Sequence, residues 1–381
     1  MIQILDKHNC CGCSACSQTC PRHCISFEED NQGFRYPSVD TSRCIDCGLC
    51  EKVCPCINHN ESREPICVYA AINPDEEVRM KSSSGGMFSL IAESVINDNG
   101  IVFGARFDDN WEVMHDYAET KDGLDAFRGS KYLQSLIGGS YKQVQDFLKQ
   151  GKNVLFSGTG CQIAGLKKFL RKEYENLLTV EIVCHSVPSP LVWRKYLKEK
   201  CENNSVKSVN FRDKTSGWSH YSYSVVIHYE FGKYIEPASG PYMKGLTSNL
   251  TTRPSCSQCP TRFGKSGADI VLGDCWGVWD LKPEMNDSRG VSIVETFSSK
   301  GLYFISKLNF EHVEIRLEEF VNYNSGLGTI KQLHKEHDSF FMEIGLNMSV
   351  SKALDKYLQT SNNSFLYRVK KYLLSIFRRI K

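Results

Sequence analysis

The sequence predicts an α+β protein: a short, cysteine-dense module at the N-terminus, followed by an α/β domain with a mixed sheet. Three observations predict it. A run of four cysteines occurs twice in the first sixty residues. From about Ile66 onward cysteine thins out, and short apolar strands alternate with helical stretches. The 381 residues are 41% hydrophobic and 24% charged, which suits a folded chain of two or three domains and not a disordered one.

Composition also excludes some functions. Forty-six basic residues face 44 acidic ones, a net charge of +2, so no overall field points to nucleic acid. No apolar run approaches the roughly 18 residues that a membrane span needs. Met1 to Asn9 lacks an apolar core of the secretory type, so a cytoplasmic location is expected. The 18 cysteines admit disulfides, zinc or iron–sulfur clusters. A disulfide scaffold is typical of small secreted chains, which leaves metal.

Spacing separates the metals. Cys10, Cys13, Cys16 and Cys20 follow C-x2-C-x2-C-x3-C with Pro21 next, and Cys44, Cys47, Cys50 and Cys54 repeat it with Pro55 next. This is the run of two-cluster bacterial ferredoxins, whose fourth cysteine ligates the other cluster. Cys10, Cys13, Cys16 and Cys54 are therefore assigned to one [4Fe-4S] cluster, and Cys44, Cys47, Cys50 and Cys20 to a second. Zinc ligands come as two separated pairs, which this run does not resemble. Ile25–Glu28 and Phe34–Pro37 predict a hairpin between the runs. The ferredoxin module is placed at 1–62. Cys11, Cys24, Cys56 and Cys67 fall outside the pattern and read as buried or spare thiols.

The elements beyond the module follow in order. Ile66–Ile72 reads as a strand and Met87–Ile96 as a helix after Ser82-Ser83-Ser84-Gly85-Gly86. Ile101–Phe107 and Val113–Ala118 are strands. Tyr141–Lys149 is a helix, Val154–Ser157 a strand, and Gln162–Arg171 a helix after Gly158-Thr159-Gly160-Cys161. Leu178–Val183 is a strand, and Pro190–Lys200 a helix behind Ser189. Val206–Phe211, Tyr221–Tyr229, Ile270–Leu272 and Val291–Phe297 are later strands.

Two glycine-rich loops fall at strand–helix junctions, where amides and the helix dipole favour anions. Ser82–Gly86 offers hydroxyls and flexible glycines, with a plain capping turn as the alternative reading. Gly158-Thr159-Gly160 resembles a dinucleotide loop, but Ile163 breaks the G-x-G-x-x-G fingerprint. Cys161, Cys184 and the pair Cys256 and Cys259 make four thiolates, enough for a third cluster. Unrelated buried cysteines explain their spacing equally well.

The downstream motifs resemble the beta subunits of coenzyme F420 hydrogenase and F420-dependent dehydrogenases. They are Ser82-Ser83-Ser84-Gly85-Gly86-Met87-Phe88, Gly129-Ser130-Lys131-Tyr132-Leu133-Gln134-Ser135, Gly158-Thr159-Gly160-Cys161-Gln162-Ile163-Ala164-Gly165-Leu166, Cys184-His185-Ser186-Val187-Pro188-Ser189-Pro190, Phe211-Arg212-Asp213-Lys214, Arg253-Pro254-Ser255-Cys256-Ser257-Gln258-Cys259 and Asp269-Ile270-Val271-Leu272-Gly273-Asp274. The resemblance implies FAD in an α/β domain spanning 63–328, beside a third [4Fe-4S] cluster on Cys161, Cys184, Cys256 and Cys259. It places FAD contacts at Ser82, Ser83, Ser84, Gly85, Gly86, Lys131, Gly158, Thr159 and Gly160, with Lys131 as a cation for the pyrophosphate. His185 and Lys214 are the expected catalytic contacts, with a core histidine and a strand-end lysine as the plain alternatives. Gly160 stands where the family usually has Pro, and Ser186 where it has Gly, which leaves the substrate open.

The implied function is an iron–sulfur flavoprotein oxidoreductase. It would pass electrons between [4Fe-4S] clusters and FAD to or from a two-electron substrate, coenzyme F420 or another small molecule. The alternative is a non-catalytic electron-transfer subunit. The expected partner is a redox protein, such as ferredoxin or another redox subunit, and not nucleic acid. A helical tail over 329–381 is expected, basic and amphipathic from about Ser364. Such a helix suits a membrane surface or a protein partner, so peripheral membrane contact is a further expectation.

Overall fold

The computed structural model describes residues 1–359 apart from 203, 220 and 221. In the N-terminal module, β1 (Ile25–Glu29) and β2 (Arg35–Val39) pair antiparallel, with Phe27 opposite Pro37. The two cysteine runs share more than spacing. Gly12 and Ser14 have φ of 71° and 62°, and Asp46 and Gly48, at the same places in the second run, have 49° and 69°. Each run thus turns through the left-handed region twice. Ser14 and Gly48 each open a short helix, Ala15–Thr19 and Leu49–Lys52.

The large sheet contains β3 (Cys67–Ile72), β4 (Ile101–Phe107), β5 (Val113–Ala118), β6 (Val154–Gly158) and β7 (Leu177–Ile182). After β8 (Val206–Asp213), β9 (Ser224–Tyr229) and β10 (Lys233–Pro237), which form a separate sheet, come β11 (Ile270–Asp274), β12 (Ser292–Thr296) and β13 (Glu311–Glu314). The strand order is β13-β3-β12-β11-β7-β6-β4-β5. The pairs β4–β6, β6–β7 and β7–β11 are parallel and the others antiparallel. The expected mixed sheet is therefore present.

Parallel strands are covered on both faces, and their apolar runs follow from that. One face packs Val102, Leu155 and Val180 under Ile91 and Ala92 of the helix Met87–Asn97. The other packs Phe103 and Phe156 under the helices Ser140–Lys149 and Gly160–Leu170. Burying a side chain the size of Phe156 contributes roughly 1.5–3 kcal/mol. The ends of β3, β6, β7 and β11 all deliver loops to one edge of the sheet. Open α/β sheets bind ligands at such an edge.

The expected boundary at 328 is revised. β10, β9 and β8 form a three-stranded antiparallel sheet. It shares a core with the helices Pro190–Cys201, Pro241–Thr247, His337–Gly345 and Val350–Gln359, built on Trp193, Phe211, Tyr242, Phe340 and Leu354. Phe340, Ala353 and Leu354 are fully buried there, so the chain through 359 completes a core and is not a separate tail. Phe34 of the N-terminal module enters the same core, 6.2 Å from Phe341. Strands β10 and β13 and the helix Ser299–Ser306 had no counterpart among the sequence expectations. The basic amphipathic stretch from Ser364 lies outside the described residues. Among the described residues no helix is long and apolar enough to cross a membrane.

Candidate metal and electron-transfer site

The second cysteine set lines one cavity. Cys20, Cys44, Cys47 and Cys50 surround it together with Cys24, Met1 and Ile45. Backbone amides point at its sulfurs: Ile2 N–H donates to Cys50 Sγ at 3.4 Å, and Asp46 N–H to Cys44 Sγ at 3.4 Å. The left-handed turn at Asp46 aims the second of these amides, and amide-to-sulfur bonds are a lever on iron–sulfur potentials. Cys24, which the spacing left out, sits 3.4 Å from Cys20 Sγ as a thiol neighbour.

The first set, Cys10, Cys13, Cys16 and Cys54, is buried throughout. Burial pushes the Cys16 thiol up, with Cys13 and Cys10 as its nearest charged neighbours. Cys54 is raised first by its hydrogen bond with Cys56, then by burial, and it also faces Cys13. Gathered buried thiols resist ionising together. A bound metal reverses that preference, since coordinated thiols are deprotonated. Both sets therefore fit [4Fe-4S] clusters in donor chemistry and arrangement.

The four remaining candidates come from three places in the chain and meet. Cys161 lies in the first turn of the helix after β6, Cys184 follows β7, and Cys256 and Cys259 belong to the loop before β11. Burial pushes Cys184 up, and Cys256, Cys161 and Cys259 are among its charged neighbours. Cys256 is pushed to about 12 by burial beside Cys259 and Cys161. Cys161 is pulled the other way, first by its hydrogen bond with Cys11 and then against burial by Thr159. Among the described residues no three such side chains close on a single-ion point.

The module is docked against this third set. Cys11 and Cys13 are buried in one core with Ile163 and Leu166, and Cys56 and Cys161 pack on it. Cys11, Cys13, Cys56 and Cys161 thus gather in one place. Gln134 Nε2 donates to the Cys11 carbonyl at 3.2 Å, and Arg253 Nε to the Cys10 carbonyl at 2.7 Å. Cys11 and Cys56 therefore lie between the first and third sets. Sequence spacing had no signal for this, because neither residue belongs to a repeat.

The expected flavin loops are arranged differently from their sequence reading. Ser82 Oγ donates to the Val78 carbonyl at 2.8 Å and Ser84 Oγ to the Val291 carbonyl at 2.7 Å. Their hydroxyls serve the protein. Gly85 is small because a Cβ would stand 2.4 Å from the Ala71 carbonyl oxygen, and Gly86 caps the helix at φ 83°. Thr159 forms a capping box with Gln162, which holds Cys161 at the helix start. A Cβ on Gly160 would stand 2.7 Å from Glu181 Oε1 and 2.8 Å from Thr261 Oγ1, and at Gly158 it would stand 3.0 Å from Gln162 Oε1. Side chains thus pack closely on this loop. At Ser82, Ser84, Gly85, Gly158, Thr159 and Gly160 the structure thus gives local packing and capping roles. The 158–160 loop leads into Cys161, and both loops pack at the sheet edge.

Ser83, Ser130 and Lys131 fit an anion better. Ser83 Oγ accepts from Ser130 N–H at 2.7 Å and from Ser130 Oγ at 3.0 Å, which leaves its own proton to donate. Lys131 Nζ holds only the Arg128 and Gly129 carbonyls, and burial lowers its pKa to about 7. No carboxylate among the described residues lies within ion-pair distance of it. Arg212 pairs with Asp274 through two bonds of 2.9 and 3.0 Å, and also reaches Tyr132 Oη at 3.1 Å. Its Nε is buried without a partner, as is Trp218 Nε1.

The two expected catalytic contacts have structural partners. Lys214 is buried, and its ammonium donates to the carbonyls of Arg79, Ser84 and Arg289 at 2.7, 2.9 and 2.6 Å. All three donors are committed, so Lys214 pins the 82–86 loop to the 289–291 segment. His185 Nε2 meets Asn249 Oδ1 at 3.1 Å, and burial, with Arg262 next, lowers its pKa to about 4. It is a neutral, tethered histidine beside Cys184.

Comparison with known proteins matches this architecture. Residues 9–58 match the family model described as a 4Fe-4S dicluster domain. Residues 151–320 match the model for the C terminus of the coenzyme F420 hydrogenase/dehydrogenase beta subunit. The chain thus joins a 4Fe-4S dicluster domain to a C-terminal domain of the F420 hydrogenase/dehydrogenase beta-subunit family. An uncharacterized protein of Methanocaldococcus jannaschii is 24% identical over 208 residues, 46% of this chain and 56% of that protein. NADH-quinone oxidoreductase subunit I of Pelobacter propionicus is 37% identical over 57 residues, 13% of this chain and 31% of that protein. The chain thus spans about half of the first relative's length and about a third of the second's. Among solved structures, a chain of the F420-reducing [NiFe] hydrogenase complex from Methanosarcina barkeri aligns with a TM-score of 0.46 and 17% identity. That alignment covers 80% of this chain and 94% of that one.

Proposed function

We propose that the chain is an iron–sulfur oxidoreductase that moves electrons between its ferredoxin module and a third [4Fe-4S] site in the α/β domain. The observation that carries this proposal is the packing of Cys11 and Cys13 in one core with Cys161 against it, which sets the first and third cysteine sets side by side. Electron transfer needs such proximity, and a purely structural metal protein does not. Cys10, Cys13, Cys16 and Cys54 would hold one cluster; Cys20, Cys44, Cys47 and Cys50 a second; Cys161, Cys184, Cys256 and Cys259 a third. Each cluster supplies one-electron chemistry, and a flavin converts single electrons into pairs.

FAD belongs to the proposal through Ser83, Ser130 and Lys131, which would bind its pyrophosphate. Arg212, positioned by Asp274, stands close by with an unused donor. The two-electron substrate would be coenzyme F420 or another small molecule, and the one-electron partner a ferredoxin or a further redox protein. The likeness of the module to a subunit of NADH-quinone oxidoreductase supports a partner protein. A cytoplasmic location accords with this chemistry. The crowding around Gly160 and the committed hydroxyls of Ser82 and Ser84 favour a second reading, an electron-transfer subunit without its own flavin.

Iron, acid-labile sulfide and flavin per chain, on protein purified without oxygen, test the proposal. About twelve irons and one FAD match three clusters of four irons each. About eight irons without flavin leave the ferredoxin module alone and overturn the third site. About twelve irons without flavin select the second reading.

A further inference from the structure

The interface between the module and the α/β domain holds a buried cation that no carboxylate balances. Arg253 is 1% exposed. Its Nε donates to the Cys10 carbonyl at 2.7 Å, Nη1 to Gln134 Oε1 at 2.9 Å and Nη2 to the Arg35 carbonyl at 3.0 Å. Nη2 also lies 3.6 Å from Cys10 Sγ. The guanidinium stacks over Tyr36, 4.2 Å from the ring centroid, and lies 5.4 Å from that of Phe34. Among the described residues no Asp or Glu comes within ion-pair distance. Every acceptor named here is neutral, and the Cys10 sulfur becomes an anion only as a metal-bound thiolate.

A buried, unpaired charge is costly, so the fold must supply an anion. A cluster held by four thiolates is that anion. The backbone of Arg253 belongs to the third set: its carbonyl accepts the Cys256 N–H at 3.0 Å. Gly12, at φ 71°, lets the first cysteine run approach, since a Cβ there would stand 2.6 Å from Gln134 Nε2 and 3.0 Å from Arg253 Nη1.

We infer that Arg253 is the countercharge of the first cluster and the rigid link that couples it to the third cysteine set. It is a positioning residue that acts through the sulfur it touches. A positive charge beside Cys10 favours the reduced, more negative state of that cluster, so the first site draws electrons towards the α/β domain. The inference rests on the proposed iron–sulfur function.

The test is an anaerobic redox titration, followed by electron paramagnetic resonance, of full-length wild type, R253M and R253K. Wild type with its irons in place establishes the reading; without iron in the first set, the reading itself fails. In iron-loaded R253M, the ratio of reduced to oxidised first cluster, at a fixed potential, should fall about tenfold, or about 59 mV for one electron. R253K should recover part of the shift. The second cluster, which Arg253 does not touch among the described residues, is the internal reference. An unchanged ratio in loaded R253M overturns the inference alone. Should R253M lose its iron, wild type grown on 15N-arginine decides. A 15N coupling to the reduced first cluster supports the contact with Cys10 Sγ, and its absence overturns it.

Discussion

Gly165 and Cys13 touch at a distance that admits no side chain at position 165. A Cβ there would stand 2.9 Å from Cys13 Cβ and 3.0 Å from its Sγ. Positions 161 and 165 are one helical turn apart and share a face. One face of the helix Gly160–Leu170 therefore presents a thiol and a gap to the ferredoxin module. The module is bonded into the domain at this point, not tethered to it.

Gly165→Val follows from that contact. Valine gains a little helix propensity over glycine, under about 1 kcal/mol. Overpacking costs about 1–3 kcal/mol and should win, because Cys13 is held by its own short loop. The denaturation midpoint should fall, with iron lost first from the first cluster. An unchanged midpoint with full iron would mean that the helix and module are not in contact.

Cys20 and Cys24 separate ligand from neighbour. Both border the same cavity, but only Cys20 belongs to the repeat. Cys20→Ser should remove one cluster's worth of iron, about four per chain. Cys24→Ala should keep the full complement. Equal iron loss in the two variants would refute the assignment.

Lys214→Met tests a structural lysine. The Ser84 and Arg289 carbonyls would lose this donor, and the Arg79 carbonyl would keep only the Ser82 N–H at 3.1 Å; a carbonyl left buried and unpaired costs about 1–3 kcal/mol. A clear drop in melting temperature with unchanged iron is the expected result. A protein as stable as wild type, but with weakened substrate binding, would restore Lys214 to the catalytic contact read from its motif.

Glu295 predicts a pH dependence. It is buried in β12, its Oε1 has no partner among the described residues, and burial raises its pKa to about 8, with Glu181 next. The folded state therefore holds a proton that the unfolded chain releases near 4.5. Between those values the native state binds more protons, so this group's contribution falls as pH rises from about 4.5 to about 8. Glu295→Gln should flatten that slope, and the variant should gain on wild type most at pH 8 and above. Parallel stability curves for the two proteins across this range would contradict it.

The N-terminal module was legible because its chemistry is local. Three cysteines two residues apart and a fourth before Pro dictate both a cluster and its loop, and the left-handed turns at Gly12 and Gly48 follow from the same spacing. The strands were legible for a similar reason. Ile101–Phe107 and Val113–Ala118 are apolar runs bounded by turns, and they form where expected. β10 and β13 are short and mostly exposed, so they carry little pattern. The helices at 337–359 looked like a tail because nothing in their own sequence says which core they complete.

The sequence by itself pointed to the 4Fe-4S dicluster module, proposed its two ligand sets and determined the α/β alternation, since each depends on neighbours within a few residues. Only the tertiary structure decided that Cys161, Cys184, Cys256 and Cys259 converge, that Cys11 bridges to them, and that Arg253 stands as an unbalanced cation at Cys10. These contacts join residues far apart in the chain. Their energies come from burial and charge, which no spacing encodes. The same holds for the hydroxyls of Ser82 and Ser84: a serine's donor is available until the fold brings a carbonyl to it.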